Sequence, residues 1–189
     1  MMLRCLAAVC LLCLSASSQG AFGLDQLMQD LALNKSGRAR FVEKRFMTLL
    51  DKPVISTGEM RFTAPDRLER RTRTPRPELM LLEGDLLTLE RDGKTLSIDL
   101  AQQPQAKVFI DSVRSILSGN RGALEGDYRL HLTGTPDKWQ LVLEPRSEAV
   151  AELMRRITVD GSRNQIRRVN YEQADGDRVE LSIEPISDP

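Results

Sequence analysis

Cysteine is confined to the start of this 189-residue chain, at Cys5, Cys10 and Cys13. Once that leader is removed, no disulfide, cysteine metal site or cysteine nucleophile can form. There is one histidine, His131. A Ser-His-Asp triad would have to use this imidazole, and no G-x-S-x-G accompanies it; a histidine-based metal site is unsupported by a lone histidine. His131 alternates with Leu130 and Leu132, the setting of an exposed or hydrogen-bonded strand residue. Aromatic residues make up 4% of the chain, too few for a base-stacking platform. Lys plus Arg and Asp plus Glu number 27 each, and this zero net charge argues against a general nucleic-acid binder. No P-loop and no G-x-G-x-x-G is present. Asp85, Asp92, Asp175 and Asp177 stand in turn sequences, where turn chemistry accounts for them. No acid/base pair is assigned, and neither an enzyme activity nor a cofactor or metal is expected.

Long apolar runs are scarce too. Leu6 to Leu14 follows the basic Arg4 and is too short for a permanent membrane span. Small residues come next, with Ser18 and Gly20 ahead of a cut near Ala21. Residues 1–20 thus read as a cleaved signal peptide, and residues 21–189 as a single domain exported to an oxidising compartment. The rival reading, a lipoprotein signal using Cys10 or Cys13, suffers from Val9 and Leu12, poor residues just before a modified cysteine. Without disulfides, the exported chain must be held by a hydrophobic core, which its length permits.

What remains is 41% hydrophobic and strongly patterned. Leu24, Leu27, Met28 and Leu31 recur at helical spacing, predicting an amphipathic helix over Leu24–Leu33. Strands are expected at Ala39–Leu50, Val54–Thr63, Arg67–Thr74, Leu79–Leu82, Leu86–Glu90 and Thr95–Leu100, with hairpin signals at Gly84-Asp85 and Asp92-Gly93. The period then changes. Val108, Phe109, Val113, Ile116 and Leu117 form a helical stripe within Ala106–Ser118, and Gly119 is a stop. Leu124 belongs to a short second helical piece. Strands return at Tyr128–Leu132, Trp139–Leu143, Arg156–Asp160, Gln165–Tyr171 and Arg178–Ile183, with turns at Asp160-Gly161 and Asp175-Gly176-Asp177. The first five or six strands follow one another with no helical pattern between them, which predicts an antiparallel meander rather than a parallel sheet, with a helical insertion midway before the remaining strands. Such a sheet must curl, and its inner face must be covered. The class is mainly β with helices (α+β): a single curved antiparallel sheet forming an incomplete β-barrel covered by a helical lid.

The runs ARFVEKR, STGEMRFTAPDRLER and GDLLTLERDGKTLSIDL resemble the N-terminal half of LolA-type periplasmic lipoprotein carriers. Phe41 lies in the first strand, Gly58 in the second, Pro65-Asp66 in the turn and Asp92–Leu96 in the DGKTL hairpin. The closing strands WQLVLEP and QIRRVNYEQADGDRVELSIEP are similar to the family's C-terminal half. Departures occur at Ala64, where better-known members often carry an arginine that bonds to the lid, and at Arg70, which replaces an aromatic.

The resemblance implies a soluble periplasmic monomer that holds acyl chains of a lipoprotein or another acylated lipid in a hydrophobic cavity. It would take its cargo from an inner-membrane transporter and pass it to an outer-membrane acceptor. Cavity-lining candidates are Met60, Phe62, Leu68, Trp139, Leu141, Val179 and Leu181. Lid candidates are Val108, Phe109, Val113, Ile116 and Leu117. By periodicity alone all of these could be ordinary core residues. A lipid- or partner-binding sensor module on the same fold is the alternative function. The basic run Arg67, Arg70, Arg71, Arg73 and Arg76 reads either as an anion or acidic-partner surface or as a solvated strand face that resists edge pairing.

Overall fold

The computed structural model describes residues 22–186; the expected leader and its cysteines lie outside them. One helix, α1 (Leu24–Ala32), precedes six strands: β1 (Ser36–Phe46), β2 (Val54–Thr63), β3 (Arg67–Thr74), β4 (Glu78–Glu83), β5 (Leu86–Arg91) and β6 (Lys94–Asp99). A 3-10 turn at Leu100–Gln102 leads into α2 (Pro104–Ser118) and α3 (Arg121–Asp127). The chain then forms β7 (Tyr128–Thr135), β8 (Lys138–Pro145), a short α4 (Glu148–Ala151), β9 (Met154–Ser162), β10 (Gln165–Gln173) and β11 (Arg178–Ile186).

The strands make one 11-stranded sheet in the order β6-β5-β4-β3-β2-β1-β11-β10-β9-β8-β7. Two meanders are thus sewn together by the pairing of β1 with β11, whose register runs from Arg38 opposite Ile186 to Phe46 opposite Arg178. Each described ladder is antiparallel. β6 and β7 stand at opposite ends of the order and do not pair, so the barrel is incomplete. Helices from the β6–β7 connection and from the N-terminus form its lid.

Period-2 alternation decides which face is which. Ala39 and Phe41 on β1, Phe62 on β2, Leu82 on β4, and Trp139, Leu141 and Leu143 on β8 are all buried. In the C-terminal half the sheet packs against α1 and α2: Leu27, Met28 and Leu31 share one core with Ile116, Leu124, Tyr128, Trp139, Ile157 and Val159. Aromatic rings lie over glycines at two places on this face. A Cβ on Gly161 would stand 2.1 Å from Trp139 Cζ2, and one on Gly58 would stand 2.9 Å from Phe41 Cε1 and 2.0 Å from the Arg71 carbonyl oxygen.

Two expectations change. The first strand was expected over Ala39–Leu50 but spans Ser36–Phe46. It stops because Met47 accepts a turn hydrogen bond from Leu50 N (2.9 Å), and the Asp177 carboxylate takes Thr48 N (2.8 Å). The Asp160-Gly161 pair, expected as a turn, lies within β9. Its glycine serves ring packing there, and the positive φ of 53° at the following corner belongs to Arg163. By contrast, the Asp92-Gly93 hairpin and the left-handed cap at Gly119 (φ 65°) form as expected.

Gly161→Ala should therefore overpack the Trp139 site and lower the unfolding free energy by ~1–3 kcal/mol. Gly37→Ala, where a Cβ meets nothing within 4 Å, should move it by less than ~0.5 kcal/mol. Urea denaturation of both variants tests the contrast.

Candidate functional site

The register allows the concave face to be followed from strand to strand. In the C-terminal half it is almost wholly apolar. Leu143 lies opposite Ile157, Leu141 opposite Val159, and Val169 opposite Leu181. Across β1 to β5 the same face changes character. Phe62, Leu68, Leu82 and Leu87 follow one another in register at one end. Towards the other end Glu43 faces Ser56, Arg70 faces Met80 and Thr72 faces Glu78. Charged side chains are therefore directed inward where β1, β3 and β4 approach the β1–β2 corner.

A cavity of about 280 Å³ lies beneath the start of α2. Val108 and Phe109 roof it, Tyr128, Val150, Leu153 and Met154 form one wall, and Tyr171 and Arg45 form the other. The helix begins at Pro104, whose fixed φ suits the first turn. Successive apolar residues at Val108 and Phe109 then point inward. Phe109 meets Tyr171 edge-on, with ring centroids 4.9 Å apart. Burial, and then the Glu43 carboxylate, push the Tyr171 phenol up to about 12, so Arg45 is the charged member of that wall. The volume is at the lower end of the ~300–1,000 Å³ usual for ligand pockets.

The lid is tied to the sheet through polar contacts. Lys107 Nζ donates to Asp85 Oδ1 (2.9 Å) from the β4–β5 hairpin. Arg114 Nη1 lies 3.5 Å from Asp85 Oδ1 and 3.4 Å from Asp111 Oδ1. Hydrogen bonding to Lys107 draws the Asp85 carboxyl below its usual range, and Asp85 draws the Lys107 amine upward. This clasp sits on the hairpin after β4; Ala64, on the preceding turn, has no side chain able to make one. α1 is held separately. Asn34 and Asn164 exchange hydrogen bonds of 2.7 and 2.9 Å, and Arg121 Nη1 donates to Asp25 Oδ1 (2.6 Å).

Of the lid candidates, Val108 and Phe109 line the cavity. Ile116 is 3% exposed and belongs to the packed core, while Val113 and Leu117 are half-buried on the same helix. None of the wall candidates lines the 280 Å³ space. Trp139, Leu141 and Val179 are fully packed, Phe62 is buried, and Met60, Leu68 and Leu181 are half-buried on the concave face. Sequence reasoning overlooked Arg45 and Tyr171, although alternation with Phe41 and with Val169 directs each to the concave side. It also missed Val150, which is positioned by α4, a single turn capped by the Ser147 hydroxyl. The basic run divides. Arg67, Arg71 and Arg73 face outward and pair with Glu83, Glu69 and Glu59, whereas Arg70 turns inward to Glu43 at 3.1 Å. His131 is exposed, 3.7 Å from Glu144. Among the described residues no group of acidic, histidine and cysteine side chains could hold a metal, and no helix is long and apolar enough to cross a membrane.

The clasp has a definite pH sign. Asp85 has a lowered folded-state pKa, so its contribution is complete above the ordinary carboxylate range and is lost as pH falls through the depressed value. Lys107 has a raised one, so its contribution is complete below the ordinary lysine range and is lost as pH climbs through the elevated value. At neutral pH Asp85→Asn should speed amide hydrogen exchange in α2 while leaving exchange in β8 and β9 unchanged. In the parent protein the same acceleration should appear under acid conditions.

The family profile described as outer membrane lipoprotein carrier protein LolA-like matches residues 16–182. A search of the curated proteins found no match. The LolA superfamily protein NE2245 from Nitrosomonas europaea superposes over 88% of this chain and 93% of its own, with 11% identity and a TM-score of 0.46. Lipoprotein LppX of Mycobacterium tuberculosis covers 85% and 92%, with 9% identity and a TM-score of 0.43. MucB, crystallised in complex with MucA(peri), covers 88% of this chain and 56% of its own, with 17% identity and a TM-score of 0.39. With the family profile spanning nearly all of the described strands and all of the lid, the chain belongs to the LolA-like outer membrane lipoprotein carrier family.

Proposed function

We propose that this protein is a periplasmic carrier that binds acyl chains of a lipoprotein or another acylated lipid and moves them from the inner to the outer membrane. The observation that carries the reading is the largely apolar cavity beneath α2, roofed by Val108 and Phe109 on a helix that a polar clasp ties to the sheet. The function it supports is binding and release, not catalysis.

The energetics suit a reversible container. Each methylene removed from water contributes ~0.8 kcal/mol. A chain longer than the closed cavity needs more apolar wall, and that wall lies under the lid. Lifting α1 would uncover Leu27, Met28 and Leu31, at ~1.5–3 kcal/mol for each side chain. It would also bare Trp139 and Leu141 on the sheet. The cost of opening and the gain from an acyl chain are thus of similar size, so cargo can open the lid and its departure can let the lid close. In this reading Met60, Phe62, Leu68, Val179 and Leu181 extend the wall in the loaded form. An inner-membrane transporter as donor and an outer-membrane acceptor complete the route.

Val108→Glu places a charge in the roof at a half-buried position. It should reduce binding of a fluorescent fatty-acid probe by about tenfold or more while the circular dichroism spectrum stays that of the parent. Native mass spectrometry of protein taken from its host compartment should show bound acylated molecules. A bound partner protein with no lipid would instead favour the sensor function.

A further inference from the structure

A second cavity, of about 400 Å³, adjoins the first on the concave face, and Arg45 lines both. Its chemistry is different. Arg45, Arg70, Arg76 and Arg91 contribute to its lining, against the carboxylates of Glu43 and Glu78. Glu43 is 5% exposed and is shared between Arg70 (3.1 Å) and Arg45 (3.6 Å). Glu78 is taken by Arg91. Arg76 has no carboxylate partner among the described residues. Positive charge is therefore in excess at this concave site, with Arg70 held inside it and Arg76 and Arg91 exposed at its rim.

Hydrogen bonding in the cavity is also incomplete. Arg70 stacks its guanidinium 4.5 Å above the Phe41 ring, which fixes its orientation. Its Nε is buried and has no hydrogen-bond partner among the described residues. A buried N–H without an acceptor is costly, and native structures pair most such groups. A guanidinium fork is matched in geometry to the oxygens of a phosphate or carboxylate. An oxyanion entering here would meet Arg76, which has no carboxylate partner among the described residues, in a cavity also lined by Arg70, whose buried Nε would need a side-chain shift to donate to it.

We propose that the two cavities form one site for an anionic amphiphile, its acyl chain under α2 and its acidic headgroup among Arg45, Arg70, Arg76 and Arg91. The proposal rests on the acyl-binding function above and adds the charge of the ligand. Arg45 is the hinge of the assignment, because it stands where a chain leaving the apolar space would meet the basic one.

Isothermal titration calorimetry with monodecyl phosphate, decanol and inorganic phosphate tests it on the intact protein. Monodecyl phosphate should bind about tenfold more tightly than decanol, and higher salt should narrow that gap. The Arg76→Gln/Arg91→Gln double variant, altered at two exposed rim positions, should abolish most of the preference. Equal affinity for the two decyl probes would overturn the anion site while leaving the acyl cavity intact. Failure of both to bind would bring down the carrier function as well. Inorganic phosphate binding as tightly as monodecyl phosphate would overturn the joining of the two cavities. A preference that survives the double variant would overturn its assignment to these arginines.

Discussion

The concave face of the sheet has to be kept from water, and the rest of the molecule follows from how this is done. Eleven antiparallel strands with apolar residues on alternate positions produce a broad greasy surface. A closed barrel of eleven strands would be wider than its own inward side chains fill, since diameter grows with strand number. Here β6 and β7 remain apart, and α1, α2 and α3 cover the face instead. A cover made of helices differs physically from a cover made of strands: it is attached through side chains and can leave without breaking a ladder of backbone hydrogen bonds.

The cover is unevenly fixed. Over β8 and β9 it is a true core, with Leu27, Leu31, Leu141, Leu143 and Val159 at 0% exposure. Over the start of α2 the packing gives way to empty volume, and the helix is restrained by Lys107 and Arg114 at Asp85. Asp85 and Lys107 in that clasp are partly exposed, and two nitrogens of the more buried Arg114 have no partners among the described residues. Exposed ion pairs are worth little individually. Holding power therefore comes mainly from hydrophobic burial, which a lipid chain can replace in kind. The inward-facing charges of β1, β3 and β4 give the other end of the same face a different character, so one surface is apolar at one end and charged at the other.

Much of this was legible in the residues. Asp-Gly and Gly-Asp pairs at positions 92–93 and 84–85 set their hairpins because such residues accept positive φ cheaply. The stripe from Val108 to Leu117 announced a helix, and Gly119 its end. Alternation placed Trp139, Leu141 and Leu143 together. Legibility failed where one residue had two possible uses. Gly161 resembles a turn residue locally, yet it is a gap into which the Trp139 ring fits, and that ring comes from another strand. Strand parity did set Arg70 on the face opposite Arg67, Arg71 and Arg73, but not that its partner there is Glu43 of β1. Ile116 and Val108 share a helical stripe, but one packs in the core and the other borders empty space.

Local chemistry by itself determined the order of elements, the antiparallel class and the lid helix, since turns, caps and periodicity act over a few residues. Tertiary structure alone decided which apolar residues are filler and which enclose a cavity, and that Glu43, Arg45, Arg70 and Arg91 converge. Their convergence depends on the β1–β2–β3–β4–β5 register and on how closely α2 approaches the sheet. Volume and charge excess are properties of the space between elements far apart in sequence, and no short segment encodes them.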